Sequence, residues 1–232
     1  MRPHARPERH WIVGDVHGCA DSLMGLLKRL PSEDRVVLCG DVINRGPQIP
    51  TAMELAWSLV RSGRAVWLQG NHEADLVADL DREDAASVDR LAGCDTYRQL
   101  GSQLCRRWRR RLESLPSVYQ GRGWVATHAG FDPHSWQPNL RVRSPFWHAY
   151  DGRYGRVVVG HTPGNGIRHH GAIVMVDTGA CYGGELSAYC PETGAVVQVP
   201  GARPLLPPAL PPAMREQLAA LHDQQHLQRI PG

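Results

Sequence analysis

Five short apolar runs in this chain each stop at a glycine beside a residue able to bind a metal ion. Trp11-Ile12-Val13 runs into Gly14-Asp15-Val16-His17-Gly18, the run from Val36 to Cys39 ends at Gly40-Asp41, and that from Ala65 to Leu68 ends at Gly70-Asn71-His72-Glu73. Trp124-Val125-Ala126 leads to His128-Ala129-Gly130, and Val157-Val158-Val159 to Gly160-His161-Thr162. The candidate metal ligands are therefore Asp15, His17, Asp41, Asn71, His128 and His161. Taken singly, a Gly-Asp pair after a strand makes a turn, a lone histidine packs in a core and an asparagine caps a helix. Five endings of one kind in a single chain point instead to a shared site. Oxygen and nitrogen donors without thiolate suit Mn²⁺, Fe²⁺ or Mg²⁺, and the histidines also admit Zn²⁺. Carboxylates gathered at one edge repel each other unless cations lie between them, so a two-metal centre is expected. Such a pair activates a water for in-line displacement at phosphorus.

The elements that must carry these residues follow from the same runs. Continuous β-branched stretches of this length read as strands buried on both faces, with ligands at their carboxyl ends along one sheet edge. Between them Leu23, Leu26, Leu27 and Leu30 recur at helical spacing, and a second helix is expected over residues 51–61, so the first half reads β-α-β-α-β. Residues 74–115 look helical throughout, with Leu76, Leu80, Val88, Leu91, Leu100, Leu104 and Leu112 set among charged positions, and are expected to form an inserted cap. After Gly160 come three consecutive strands near residues 173–176, 186–189 and 196–199, which predicts a second, more antiparallel sheet. From Arg203 the composition changes. Pro204, Pro207, Pro208, Pro211 and Pro212 favour an extended linker, followed by a C-terminal helix over 214–230 with Leu218, Leu221 and Leu227 as its apolar stripe.

Composition excludes several classes. With 232 residues and 42% hydrophobic side chains the chain can bury a full core, and 26 basic against 23 acidic residues leave a net charge of only +3, far from a dedicated nucleic-acid binder. No apolar run is long enough for a membrane span and the amino terminus lacks a signal-peptide core, so a soluble, cytoplasmic protein is expected, with no membrane partner. Six cysteines without a C-x-x-C pair read as reduced, packed thiols. Arg106-Arg107-Trp108-Arg109-Arg110-Arg111 is a dense basic run, for which a polyanion-binding module is the remote alternative and a solvated helix face the favoured reading.

In order along the chain, GDVHG at 14–18, GDVINRG at 40–46, GNHE at 70–73, HAG at 128–130 and GHT at 160–162 closely resemble the phosphoprotein-phosphatase branch of the metallophosphoesterases. That branch includes bacterial and phage serine/threonine phosphatases and the symmetrical diadenosine tetraphosphate hydrolases. The closing block VDTGACYGG at 176–184 extends the resemblance over residues 11–200. It implies an α/β fold, a β-sandwich of two mixed sheets flanked by helices, with residues 1–200 as catalytic domain, the cap at 74–115, and 201–232 as linker and terminal helix. It implies two divalent ions, Mn²⁺ foremost. Asp15, His17 and Asp41 would hold the first, and Asp41 would bridge to a second completed by Asn71, His128 and His161.

By the same resemblance His72 is the general acid at the leaving oxygen, Arg45 grips phosphate and Tyr182 lies near it. A second arginine is expected before a phenylalanine, and Arg143-Ser144-Pro145-Phe146 fits better than Arg141. Asn44 departs from the aspartate that many members carry, which weakens electrostatic support for a protonated His72 and favours good leaving groups. The expected activity is a phosphomonoesterase of the serine/threonine protein phosphatase type, acting on a phosphorylated protein or small phosphoester through a metal-activated hydroxide. GNHE and GHTP at 160–163 point that way. Asn44 points to the alternative, a symmetrical bis(5'-nucleosyl)-tetraphosphatase. Nucleic acid is not an expected partner.

Overall fold

The structure, a computed structural model, describes residues 9–82 and 84–202. The proline-rich stretch and terminal helix expected after Arg203 lie outside the described residues. Among the described residues, ten strands and six α-helices follow one another as β1 (His10–Val13), α1 (Ala20–Leu27), β2 (Arg35–Leu38), α2 (Ile49–Arg61), β3 (Ala65–Trp67), α3 (Asn71–Asp81), α4 (Ala85–Gly93) and α5 (Asp95–Glu113). They continue as β4 (Val118–Gly121), β5 (Trp124–Thr127), α6 (Ser144–Ala149), β6 (Arg156–Val159), β7 (Arg168–His170), β8 (Ile173–Met175), β9 (Glu185–Tyr189) and β10 (Val196–Pro200).

Two five-stranded mixed sheets result, ordered β10-β9-β1-β2-β3 and β4-β5-β6-β8-β7. In the first, β1, β2 and β3 run parallel while β9 and β10 are antiparallel additions; in the second, β5, β6 and β8 are parallel with antiparallel edges. The strand period of two shows how the sheets meet. Ile12, Val37, Val158 and Val174 share one cluster between the sheets, while their neighbours Val13 and Leu38 face the first sheet's helices and Val157 and Ile173 the second sheet's outer layer. Every one of these side chains is fully or almost fully buried, so strands that are apolar at every position are buried on both faces, as expected.

Two organisational expectations change. The three late strands do not form their own sheet: β8 joins the second sheet, whereas β9 and β10 extend the first. Strand order is set by long-range pairing, here Ile12 against Tyr189, which sequence adjacency does not reveal. The ligand-bearing strands likewise end on two sheet edges, three on one and two on the other, rather than on one. The 74–115 segment is helical but divided into α3, α4 and α5, and Gly101, whose φ is 76°, interrupts α5. Val88 and Leu104 are exposed rather than core, while Cys105, Trp108 and Leu112 join the main core. This segment is thus a flank of the domain as much as a cap.

Candidate active site

The carboxyl ends of β1, β2 and β3 and of β5 and β6 meet at one cleft of about 360 Å³. Close approach there depends on glycine, because a Cβ on Gly160 would collide with Asp15 Oδ1 and one on Gly70 with Asp41 Oδ1. Among the described residues six non-glycines have positive φ, and five lie here: His17 (43°), Asp41 (47°), Asn44 (65°), Arg45 (68°) and His161 (65°). Such backbone strain persists only where surrounding structure holds it, and it concentrates at functional sites.

Asp41 is the hub. Its Oδ2 lies 3.8 Å from His17 Nε2, 3.8 Å from His72 Nε2 and 3.5 Å from His128 Nε2. Two compact donor groups share it, His17–Asp41–His72 and Asp41–His128–His161, each with its ligand atoms within 4.8 Å of one another. Asn71 Oδ1 is 3.0 Å from His128 Nε2. Asp15 stands outside both compact groups, though its Oδ2 is 3.8 Å from His17 Nε2, and its oxygens accept the His161 N–H at 3.0 and 3.2 Å. His17 Nδ1 donates to the Ile43 carbonyl at 2.7 Å and His128 Nδ1 to the Cys39 carbonyl at 2.8 Å. Each ring therefore turns a bare Nε2 toward the cleft, the arrangement of a metal-ligating histidine.

The electrostatics match that donor set. Burial pushes the pKa of His17 and His161 down to about 3 and of His128 to about 4, so all three rings are neutral near pH 7. Burial, then Asp177 and Asp41, push Asp15 well above the ordinary carboxylate range, and burial raises Asp41 to about 7. Three buried carboxylates, Asp15, Asp41 and Asp177, thus meet neutral imidazoles, a charge balance that divalent cations complete. The residues present fit a two-metal group.

His72 is oriented by its neighbours. Asn44 Oδ1 accepts from Thr96 N (3.0 Å), Thr96 Oγ1 (2.7 Å) and Cys94 Sγ (3.1 Å), which leaves the Asn44 amide nitrogen facing His72 Nδ1 at 2.8 Å. Arg45 places a guanidinium nitrogen 3.2 Å from His72 Nε2. The ring meets donors on both nitrogens. Burial first, and then Arg45, lower its pKa to about 4. Exposed Arg45, Arg143 and Tyr182 line the cleft mouth, with the Arg45 guanidinium 5.5 Å from the Tyr182 ring centroid. Arg141 lines it too and pairs with Asp75, so the preference for Arg143 alone separates two arginines that share one rim.

Two residues without an assigned role in the sequence reading emerge. Glu73 is fully buried and accepts the N–H groups of Asp41 (2.9 Å), Val42 (2.8 Å) and Gly70 (3.0 Å), so it ties the β2 loop to the start of α3. Its signal was present in Gly70-Asn71-His72-Glu73, since a glutamate three residues into a helix reaches back to the cap. Asp177, after β8, is 5% exposed and accepts the Gly179 N–H at 3.0 Å.

The family model for calcineurin-like phosphoesterases matches residues 9–189, which include every strand but β10 and all six candidate ligands. The chain belongs to the calcineurin-like phosphoesterase family. It is 27% identical over 213 residues to serine/threonine-protein phosphatase 1 of Salmonella typhimurium, covering 81% of this chain and 94% of that one. It is 35% identical over 130 residues to the symmetrical bis(5'-nucleosyl)-tetraphosphatase of Pseudomonas fluorescens, covering 53% of this chain and 43% of that one. The fold superposes on a serine/threonine phosphatase from Saccharomyces cerevisiae with a TM-score of 0.62 at 13% identity, over 88% of this chain and 82% of that one. This calcineurin-like chain is a phosphoester hydrolase of a family that depends on a dinuclear metal centre. None of its described helices is long and apolar enough to cross a membrane.

Proposed function

We propose that the protein is a Mn²⁺-supported phosphomonoesterase of the serine/threonine protein phosphatase type. The observation that carries this reading is the single Asp41 carboxylate shared by two groups of imidazole donors. Asp15, His17 and Asp41 would hold one ion, and Asp41, Asn71, His128 and His161 the other. When bound, such ions supply Lewis acidity, lowering the pKa of water and neutralising phosphate oxygens. Arg45 and Arg143 orient the phosphoryl group through their planar forks of donors, Tyr182 borders it, and His72 faces the leaving oxygen. The relative from Salmonella typhimurium, aligned over most of both chains, supports a phosphoprotein or small phosphoester as substrate. All six cysteines are free thiols, which suits a reducing cytoplasm.

One observation favours the second reading, a symmetrical bis(5'-nucleosyl)-tetraphosphatase. A donor from Asn44, not a carboxylate, faces His72, and this suits a leaving group that departs without needing a proton. One assay separates the two. Purified protein with Mn²⁺ is given a phosphothreonine peptide and diadenosine tetraphosphate in parallel, with nucleotides resolved by chromatography and free phosphate quantified. Phosphate from the peptide supports the first reading; ADP as sole product with an intact peptide overturns it in favour of the second.

A further inference from the structure

Among the described residues three pairs of histidine rings meet, and two of them belong to the metal cleft. His17 and His72 have centroids 5.1 Å apart, and His128 and His161 are 5.0 Å apart at an interplanar angle of 67°. The third pair lies elsewhere. His148 on α6 meets His170 on the edge strand β7 with centroids 5.4 Å apart and an angle of 69°. Both residues are exposed, and neither lines the cleft.

This outlying pair repeats the local chemistry of the cleft histidines. His148 Nδ1 donates to the Ser144 carbonyl at 2.7 Å, just as His17 Nδ1 donates to Ile43 and His128 Nδ1 to Cys39. A carbonyl can only accept, so the bond fixes the tautomer and leaves His148 Nε2 with a bare lone pair. The His170 ring nitrogens carry no hydrogen bond among the described residues. With Zn–N bonds of about 2.0–2.1 Å and a tetrahedral angle at the ion, two ligating imidazoles have centroids about 5 Å apart. The observed separation fits that arrangement. An edge-to-face ring contact by itself would require neither the locked tautomer nor open solvent at both rings.

We propose that His148 and His170 form a separate surface site for a borderline divalent ion, Zn²⁺, whose remaining positions are filled by water. The comparison with the cleft rests on the reading above in which His128 and His161 share an ion. Two imidazoles without a carboxylate favour Zn²⁺ over the harder Mn²⁺, so the two sites differ in the ion they select. The site joins two elements of the second sheet's outer layer. Helix α6 is only six residues long, with Phe146 as its buried side chain and Arg143 at its amino-terminal cap. An ion held between His148 and His170 fastens the other end of the helix to β7, and so steadies the segment that presents Arg143 to the cleft.

The test counts metal. Protein saturated with Mn²⁺ is dialysed to equilibrium against micromolar Zn²⁺ in the presence of excess Mn²⁺, and the total of Mn and Zn per chain is measured by mass spectrometry. The wild type is compared with His148→Ala, His170→Ala and the control His134→Ala. All three positions are exposed, so the variants should fold, and circular dichroism checks this. Exchange of Mn²⁺ for Zn²⁺ inside the cleft leaves the total unchanged. The expected result is one ion more per chain in the wild type and in His134→Ala than in either variant of the pair, with a Zn²⁺-dependent rise in melting temperature that the two pair variants lose. Equal totals in all four proteins overturn the site, as does a loss confined to one of the two pair variants. A wild type that retains no Mn²⁺ before Zn²⁺ is added overturns the dinuclear reading of the cleft instead, a result read separately from the difference between variants.

Discussion

Replacing Asn44 with Asp exchanges the amide donor that faces His72 Nδ1 for an acceptor. An imidazolium donates from that nitrogen, so the carboxylate favours the protonated ring and raises its pKa from about 4 toward neutrality. Each unit gained multiplies the protonated fraction near pH 7 about tenfold. Turnover of a phosphoserine peptide, whose alkoxide needs a proton, should rise more than turnover of an aryl phosphate in parallel steady-state assays. Equal effects on the two substrates would sink the idea. Glu73→Gln replaces an acceptor oxygen by a donor amide against backbone N–H groups. Each buried N–H left without a partner costs about 1–3 kcal/mol, so the variant should lose about 2–4 kcal/mol in chemical denaturation; a loss below about 1 kcal/mol would show that the β2 loop is held by other contacts.

At the scale of the element, α5 fastens the 74–115 segment to the domain. Trp108 is 4% exposed and meets Trp57 and Trp67 with ring centroids 6.0 and 6.4 Å away. Trp108→Ala should therefore cost about 3–5 kcal/mol, read as a lowered thermal midpoint; a shift worth less than about 1 kcal/mol would mean that α5 is not packed as a core element. Two of the arginines around it are already engaged. Arg109 binds Asp81 and Glu113, and the Arg111 guanidinium lies 4.7 Å from the Trp108 ring centroid and 5.3 Å from that of Trp57. Changing Arg107, Arg110 and Arg111 to Ala should leave the salt dependence of nucleic-acid retention unchanged, whereas a clearly shallower slope would revive the polyanion-binding reading.

For the whole molecule, stability without metal should depend on pH with a definite sign. His17, His72, His128 and His161 have folded pKa values lowered to about 3–4 against an unfolded value near 6.5, so above about pH 7.5 they are neutral folded and unfolded alike and drop out. Burial raises Asp41 to about 7 and, with Asp41 beside it, Glu73 to about 8. A carboxyl with a raised folded pKa holds a proton that the unfolded chain has lost, so its contribution declines as pH rises through the folded value. The melting temperature of EDTA-treated protein should therefore fall between about pH 7.5 and 8.5. Mn²⁺ should raise it and release protons on binding, most strongly at the lower pH, as read by calorimetry in buffers of different ionisation enthalpy. A flat melting profile with no proton release would show that these carboxylates ionise freely in the metal-free fold.

Much of the site was legible because its chemistry is local. Gly14-Asp15, Gly40-Asp41, Gly70-Asn71 and Gly160-His161 each combine a strand end, a close approach that only glycine permits and a candidate ligand, all within a few residues. The unbroken apolar runs Trp11-Ile12-Val13 and Val157-Val158-Val159 had already indicated double-sided burial, which the division of their side chains between core clusters bears out. Tertiary structure alone decided the rest. It placed Ile12 beside Tyr189, put the ligands on two sheet edges, brought Thr96 and Cys94 to Asn44, and seated Arg82, Arg90 and Arg141 around one cavity. Apart from Arg82 and Arg90, these neighbours lie dozens of residues apart in the chain. Periodicity and turn chemistry act over a few residues, whereas pairing across dozens of residues depends on which faces the whole chain can bury together.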